Sequence, residues 1–283
     1  MSSSASSLLP SAIVTRLRAA GCVFAEDEAR LLIAAASSPA DLAAMVDRRA
    51  AGLPLEHVMG WAEFCGLRIA VDPSVFVPRR RSEFLVREAA GLARRAGSPV
   101  VIVDLCSGSG ALGAAVAAAL EQAELHAADI DPAAVRCARR NLAARGGRVY
   151  EGDLYQPLPP RLRGRIDILI ANVPYVPTDA VRTLPPEARL HEPRQALDGG
   201  PDGLDMLRRV AAEAPLWLAP GGHLLTETSE RQARPATGAF ARGGLAARFV
   251  SSAAQNATVI IGTKPAGRVR RDEPAWRASF AAT

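Results

Sequence analysis

Val100-Val101-Ile102-Val103-Asp104-Leu105-Cys106-Ser107-Gly108-Ser109-Gly110-Ala111 is the stretch that decides the fold. Its opening apolar run is rich in β-branched residues and too short for a helix, so it reads as a strand buried on both faces. Small residues follow, and a helical pattern starts at once. A strand, a glycine turn and a helix in that order open a doubly wound α/β sheet. Working outward, helical spacing covers about 82–96, 111–121 and 132–145, and a second strand ends at Asp129. Further strands fall near 147–150, 165–171, 222–228, 246–250 and 256–261. Strands separated by helices predict a mostly parallel, seven-stranded sheet with helices on both faces.

The turn carries chemistry as well as topology. Small residues at Cys106, Ser107, Gly108, Ser109 and Gly110 let backbone approach a ligand, and the N–H groups opening the next helix point at it. Many α/β proteins have such a turn for geometry alone. Asp129, 19 residues after Gly110, sharpens the reading, because a carboxylate at the next strand end can accept hydrogen bonds from both ribose hydroxyls. The spacing differs from the GxGxxG of pyrophosphate binders, and no P-loop lysine follows. A nucleoside without phosphates fits better, and S-adenosylmethionine is the obvious one. Its amino-acid end would lie against Asp104 and the turn, and Asp153 in Gly152-Asp153-Leu154 would approach the adenine amino group, with Leu154 covering a ring face.

Asn172-Val173-Pro174-Tyr175 follows the apolar run Ile166-Asp167-Ile168-Leu169-Ile170-Ala171, at the strand end where open α/β folds bind ligands. The Asn172 side-chain carbonyl and the backbone carbonyl of Val173 can accept both hydrogens of an NH2 group, and Tyr175 can wall the planar group. That grip would turn the nitrogen lone pair toward a sulfonium methyl group. Catalysis would then rest on proximity and orientation, with no dedicated base. Asn-x-Pro is also ordinary loop punctuation.

Toward the N-terminus, apolar residues at helical spacing (Ile13, Leu17; Ala29, Leu32, Ile33; Leu42, Met45, Val46) predict short helices over 11–50. From Trp61 to Val77 the period becomes two, which predicts a β-hairpin bracketed by Pro73 and Pro78. The tail from Gly267, with Arg268, Arg270, Arg271 and Asp272, reads as a frayed, charged end.

At 283 residues the chain can bury a large core, alone or with a small companion domain. The net charge of +5 is nearly all arginine, Lys264 being the only lysine, and a mild excess of this kind argues no obligatory nucleic-acid partner. Cys22, Cys65, Cys106 and Cys137 form no metal-ligand spacing and read as reduced thiols, so no metal is expected. Met1-Ser2-Ser3-Ser4-Ala5 lacks a basic n-region, and no long uncharged apolar window occurs. A cytoplasmic protein without a membrane partner is expected, with the oligomeric state open.

With these motifs together, the chain resembles the release-factor glutamine methyltransferases, which methylate the side-chain amide of a glutamine in peptide-chain release factors. The similarity runs through Pro54-Leu55-Glu56-His57-Val58-Met59-Gly60, Glu63-Phe64, Phe76-Val77-Pro78-Arg79 with Ser82-Glu83, the glycine turn, Asp129, Asp153 and the tetrad. It continues in Glu192-Pro193-Arg194-Gln195-Ala196-Leu197-Asp198-Gly199-Gly200 and Asp202-Gly203-Leu204. The resemblance implies a helical substrate-binding domain at 1–60, a β-hairpin link at 61–80 and a class I S-adenosylmethionine-dependent methyltransferase domain at 81–283. It also implies that the turn, Asp129, Leu154 and Asn172 contact the donor, and that the partner is a protein carrying a glutamine.

Two departures stand out. Val173 replaces the first proline of an NPPY-type tetrad, which keeps the residue-173 carbonyl and an extended backbone before Pro174. Cys106 stands where the family's turn has glycine, an exchange suited to a position without positive φ. Arg79-Arg80-Arg81 reads as a solvated basic run, Arg79 and Glu83 as pocket floor or surface pair, His57 as a packed histidine and Glu227 as structural. Methylation of an exocyclic amine on a nucleobase or small metabolite stays open, as does a catalytically silent donor-binding protein.

Overall fold

The computed structural model describes residues 9–266, so the serine-rich start and the basic tail from Gly267 lie outside the described residues. Four helices come first: α1 (Pro10–Ala19), α2 (Ala25–Ala35), α3 (Pro39–Ala50) and α4 (Leu55–Met59). Local chemistry sets their ends. Ser38 caps α3 by accepting from the Asp41 N–H, Pro39 supplies a preset φ in the first turn, and Arg48 and Arg49 sit in the last, where the helix dipole favours cations. Ile13, Leu17, Leu32, Met45, Val46 and Val58 close a core of their own.

The hairpin β1 (Trp61–Phe64) and β2 (Leu67–Ala70) follows. It is shorter than the period-two pattern predicts. Beyond Val71 the chain turns at Asp72–Val75, with Ser74 at φ +66°, yet Val71, Val75 and Val77 remain buried against the main core. The alternation there records burial of an irregular segment.

The remaining elements run α5 (Glu83–Ala93), β3 (Val100–Leu105), α6 (Ala111–Ala118), β4 (Ala123–Asp129), α7 (Pro132–Leu142), β5 (Arg148–Glu151), β6 (Ile166–Ala171), α8 (Pro186–His191), α9 (Asp205–Trp217), β7 (Leu218–Thr228), α10 (Ala233–Arg242), β8 (Ala246–Ser252) and β9 (Ala257–Thr263). They build a seven-stranded sheet in the order β5-β4-β3-β6-β7-β9-β8, parallel except for β9. The predicted mostly parallel, doubly wound sheet is observed. No helix among the described residues is long and apolar enough to cross a membrane.

β3 shows why the sheet is two-sided. Val100 and Ile102 enter one core cluster, and Val101, Val103 and Leu105 enter the other. Each fully buried aliphatic side chain contributes about 1.5–3 kcal/mol of transfer free energy. The chain runs from β3 outward to β5 and then returns to β6 on the other side of β3, so strand order reverses between β3 and β6. Leu105 is in register with both Ala128 and Ala171. The residues that leave the sheet next, Cys106, Asp129 and Asn172, therefore emerge side by side at its carboxyl edge.

Candidate active site

That edge opens into a cavity of about 570 Å³. One wall is the turn, from Cys106 to Ser109, and a second is Asp129, Ile130 and Asp131. The tetrad Asn172–Tyr175 forms the third. Phe76, Pro78, Arg79 and Arg81, which follow the hairpin in sequence, also line the cavity, as do Leu184, Pro185 and Glu187. The volume lies within the range of small-molecule sites.

The turn is held in an unusual shape. Cys106 has φ +53°, so this position does require the left-handed conformation, contrary to the expectation that admitted a cysteine there. Burial, reinforced by the Asp129 carboxylate, pushes its thiol well above the usual range. Gly108 and Gly110 also have positive φ, and at Gly110 a β-carbon would press on Ala138 at 3.2 Å, so close packing on α7 excludes a side chain. Ser107 is buried and its Oγ has no hydrogen-bond partner.

Asp129 ties the turn to the second strand. Its Oδ2 accepts the Gly108 N–H at 2.8 Å and its Oδ1 accepts the Asp131 N–H at 2.9 Å, which leaves lone pairs on both oxygens for a ligand. Burial raises its pKa, and those backbone donors oppose the rise. Behind the turn, Asp104 is fully buried and outside the cavity lining. Its Oδ2 accepts the Gly113 N–H at 2.8 Å while Oδ1 has no partner. Burial, reinforced by Asp129, holds this carboxyl at a pKa of about 8.

All four residues of the tetrad line the cavity, Val173 and Pro174 buried and Asn172 and Tyr175 partly so. Val173 is buried in the second core cluster, whereas the buried Asn172 Oδ1 has no hydrogen-bond partner. Native interiors leave few such atoms, and of those found among the described residues Asn172 Oδ1 and Ser107 Oγ belong to residues that line the cavity. The loop is braced from behind. Gln232 Nε2 donates to the carbonyls of Tyr175 and Asp202, both at 2.9 Å. Gly199 lies so close that a β-carbon would come within 2.6 Å of the Pro174 carbonyl, and at Gly203 (φ +75°) one would overlap the Tyr175 carbonyl. The 192–204 stretch thus backs the tetrad.

A family model described as methyltransferase small domain matches residues 82–203. The chain is 39% identical over 230 residues to a release factor glutamine methyltransferase of Geobacter sulfurreducens, covering 80% of this chain and 79% of that protein. The chain belongs to the release factor glutamine methyltransferase family. It is also 37% identical over 191 residues to a 4-amino-L-phenylalanine/4-methylamino-L-phenylalanine methyltransferase of Streptomyces pristinaespiralis, covering 66% of this chain and 65% of that one. A methyltransferase structure from Pyrococcus furiosus superposes with a TM-score of 0.53 at 17% identity, over 71% of this chain and 90% of that one, and shows the shared fold.

In this family member, Cys106, Ser107, Gly108, Ser109, Asp129 and Asn172–Tyr175 line one cavity, whereas Asp104, Gly110, Asp153 and Leu154 do not. Asp153 pairs with Arg209 at 2.5 Å, and Leu154 packs into the second core cluster with φ +49°. The sequence reading missed Ile130, a 57% exposed aliphatic residue on the cavity wall. Its signal was present: an apolar residue between two aspartates, just past a strand end. Of the basic run, Arg80 and Arg81 are exposed, and Arg79 and Arg81 line the cavity. Arg79 pairs with the buried Glu192 at 2.5 Å, so it is no simple surface charge. Glu83 accepts from the Cys65 N–H at 3.3 Å, away from this cavity. His57 is packed, its Nε2 2.8 Å from the Val75 carbonyl oxygen.

Proposed function

We propose that the protein methylates the side-chain amide nitrogen of a glutamine in a protein substrate, a peptide-chain release factor, with S-adenosylmethionine as donor. The observation that carries this reading is that Asn172, whose buried Oδ1 has no hydrogen-bond partner, lines the same cavity as the glycine turn and Asp129. The residues present fit the donor. Ser107 Oγ and the turn N–H groups would hold its amino-acid end, Asp129 the ribose hydroxyls, and Ile130 a face of the base. Asp153 follows the end of β5 and does not line the cavity, and its Oδ2 is already taken by Arg209.

Bound there, S-adenosylmethionine supplies an electrophilic methyl group. Everything else belongs to the chain. Asn172 Oδ1 and the Val173 carbonyl accept the two amide hydrogens and so fix the plane of the nitrogen. An amide lone pair is delocalised, so holding it in the attacking orientation is the contribution the site must make. Neither oxygen is a base strong enough to deprotonate an amide in advance. The nitrogen would therefore lose its surplus proton to water only after the new C–N bond has formed, the methyl–sulfur bond has broken and S-adenosylhomocysteine is the leaving group. The apolar wall of Phe76, Pro78 and Leu184 excludes water that would compete for the same hydrogen bonds.

The helical unit formed by α1 to α4 is proposed to dock the protein substrate. Its Arg49, almost fully buried, donates to Glu28 at 2.6 Å and to Glu187 of the cavity lining at 2.7 Å, so this unit is fastened beside the cavity. Incubating the protein and S-adenosylmethionine with a release factor bearing its Gly-Gly-Gln loop tests the reading. A mass gain of one CH2 on that glutamine supports it, and no gain despite normal donor binding contradicts it. A small aryl amine is the second reading, favoured by the Streptomyces relative; methylation of 4-amino-L-phenylalanine in place of the release factor would establish it.

A further inference from the structure

Three donors converge on one buried carboxylate at the cavity wall. Glu227 lies within β7 with its side chain 2% exposed. Its Oε1 accepts from Arg81 Nε at 2.8 Å and from the Tyr175 hydroxyl at 2.7 Å, and its Oε2 accepts from Ser82 Oγ at 2.6 Å. Arg81 also donates through Nη2 to the Tyr175 hydroxyl oxygen at 2.6 Å, closing a ring of three groups. The guanidinium carbon stands 5.9 Å from the Tyr175 ring centroid.

The geometry points to Arg81 as a positioning residue for methyl transfer: with Glu227 it locks the Tyr175 phenol, and through that ring it sets the plane in which the acceptor amide lies. This inference rests on the proposed amide methylation. A tyrosine that walls a planar acceptor must itself be fixed, because its ring can otherwise rotate about χ1 and χ2. The tetrad backbone is already held by Gln232, Gly199 and Gly203, so the ring is the remaining freedom. The phenol oxygen is fixed both ways: it donates its hydrogen to Glu227 and accepts one from Arg81. Arg81 suits this task because its planar fork reaches a carboxylate and a hydroxyl at once, which a lysine ammonium does less well. The ion pair is half open to the cavity, the Arg81 side chain being 44% exposed, so an acceptor entering the cavity also covers it and strengthens the lock.

The test uses Arg81→Ala, Arg81→Gln, Tyr175→Phe and the double variants. With a release factor as acceptor, each Arg81 variant is expected to lower kcat by about tenfold to a hundredfold, the usual cost of a misplaced acceptor, with donor affinity nearly unchanged. Tyr175→Phe removes the hydroxyl that Arg81 grips, so adding an Arg81 substitution to it should cost little more. Losses that multiply in the double variants overturn the inference. So does a loss of donor affinity equal to the loss of turnover. A second readout needs no acceptor. The chain has three tyrosines, so 3-fluorotyrosine labelling gives three fluorine signals, and Tyr175→Phe assigns the relevant one. That signal should move toward the free amino acid value in Arg81→Ala and Arg81→Gln. An unmoved signal in a folded variant overturns the inference even if the release factor is not the substrate. Failure of wild type to methylate it contradicts the proposed function alone.

Discussion

Asp129 accepts the Gly108 N–H at 2.8 Å, which joins the end of the second core strand to the glycine turn of the first. One carboxylate therefore shapes the turn and also lines the cavity proposed to hold the donor.

Replacing Asp129 with alanine removes both roles. A hydrogen bond to a charged group contributes about 1.5–3 kcal/mol, so S-adenosylmethionine affinity should fall roughly ten- to a hundredfold. Calorimetric titration checks this. An unchanged Kd would mean that the ribose lies elsewhere.

Gly203 and Gly221 both adopt positive φ, but only Gly203 is crowded. A β-carbon at Gly203 overlaps the Tyr175 carbonyl, while at Gly221 nothing lies within 4 Å. Gly203→Ala should therefore lose about 1–3 kcal/mol more than Gly221→Ala in urea unfolding. Turnover should fall only in the Gly203 variant. Equal costs would contradict the bracing of the tetrad.

Asp104 gives stability a pH dependence whose sign is fixed. The folded carboxyl holds its proton to about 8, against 3.8 for the ordinary group, because burial disfavours the charge. Between those values the folded state binds more protons than the unfolded, so this contribution is full at acid pH, falls as pH rises and levels off above about 8. Asp104→Asn should flatten that part of the curve and gain relative stability at about pH 9. Parallel wild-type and variant curves would show that Asp104 is ionised in the fold.

Cys106 carries a side chain where its φ of +53° favours glycine. Relief of that strain, about 1 kcal/mol, should offset most of what Cys106→Gly loses in packing and in unfolded-state entropy. Cys106→Val should be clearly worse, since a β-branched residue tolerates positive φ least. Thermal unfolding of both variants decides it; a valine variant as stable as the glycine one would contradict the strain.

The sheet was legible because β3 and β6 are short, buried on both faces and followed by turn residues, which leaves few other conformations. Asp129 and Asn172 were legible because strand ends of a parallel sheet gather at one edge. α9 and α10 were not bounded from sequence, since Pro215 and Pro235 interrupt their periodicity. Arg81 was hidden for a different reason. Its partner Glu227 is 146 residues away, and the two meet because α5, which begins just after Arg81, packs against β7. The strain at Cys106 was likewise invisible, because φ is set by the packing of the turn between β3 and α6.

Asn172→Ala tests the central claim most directly, with donor affinity measured by calorimetry and turnover measured on a release factor in the same preparation. The account predicts an S-adenosylmethionine Kd within a few-fold of wild type and a kcat lowered roughly 100- to 1000-fold, as for loss of one preorganised polar group. Equal losses of affinity and turnover, or turnover left intact, would contradict it.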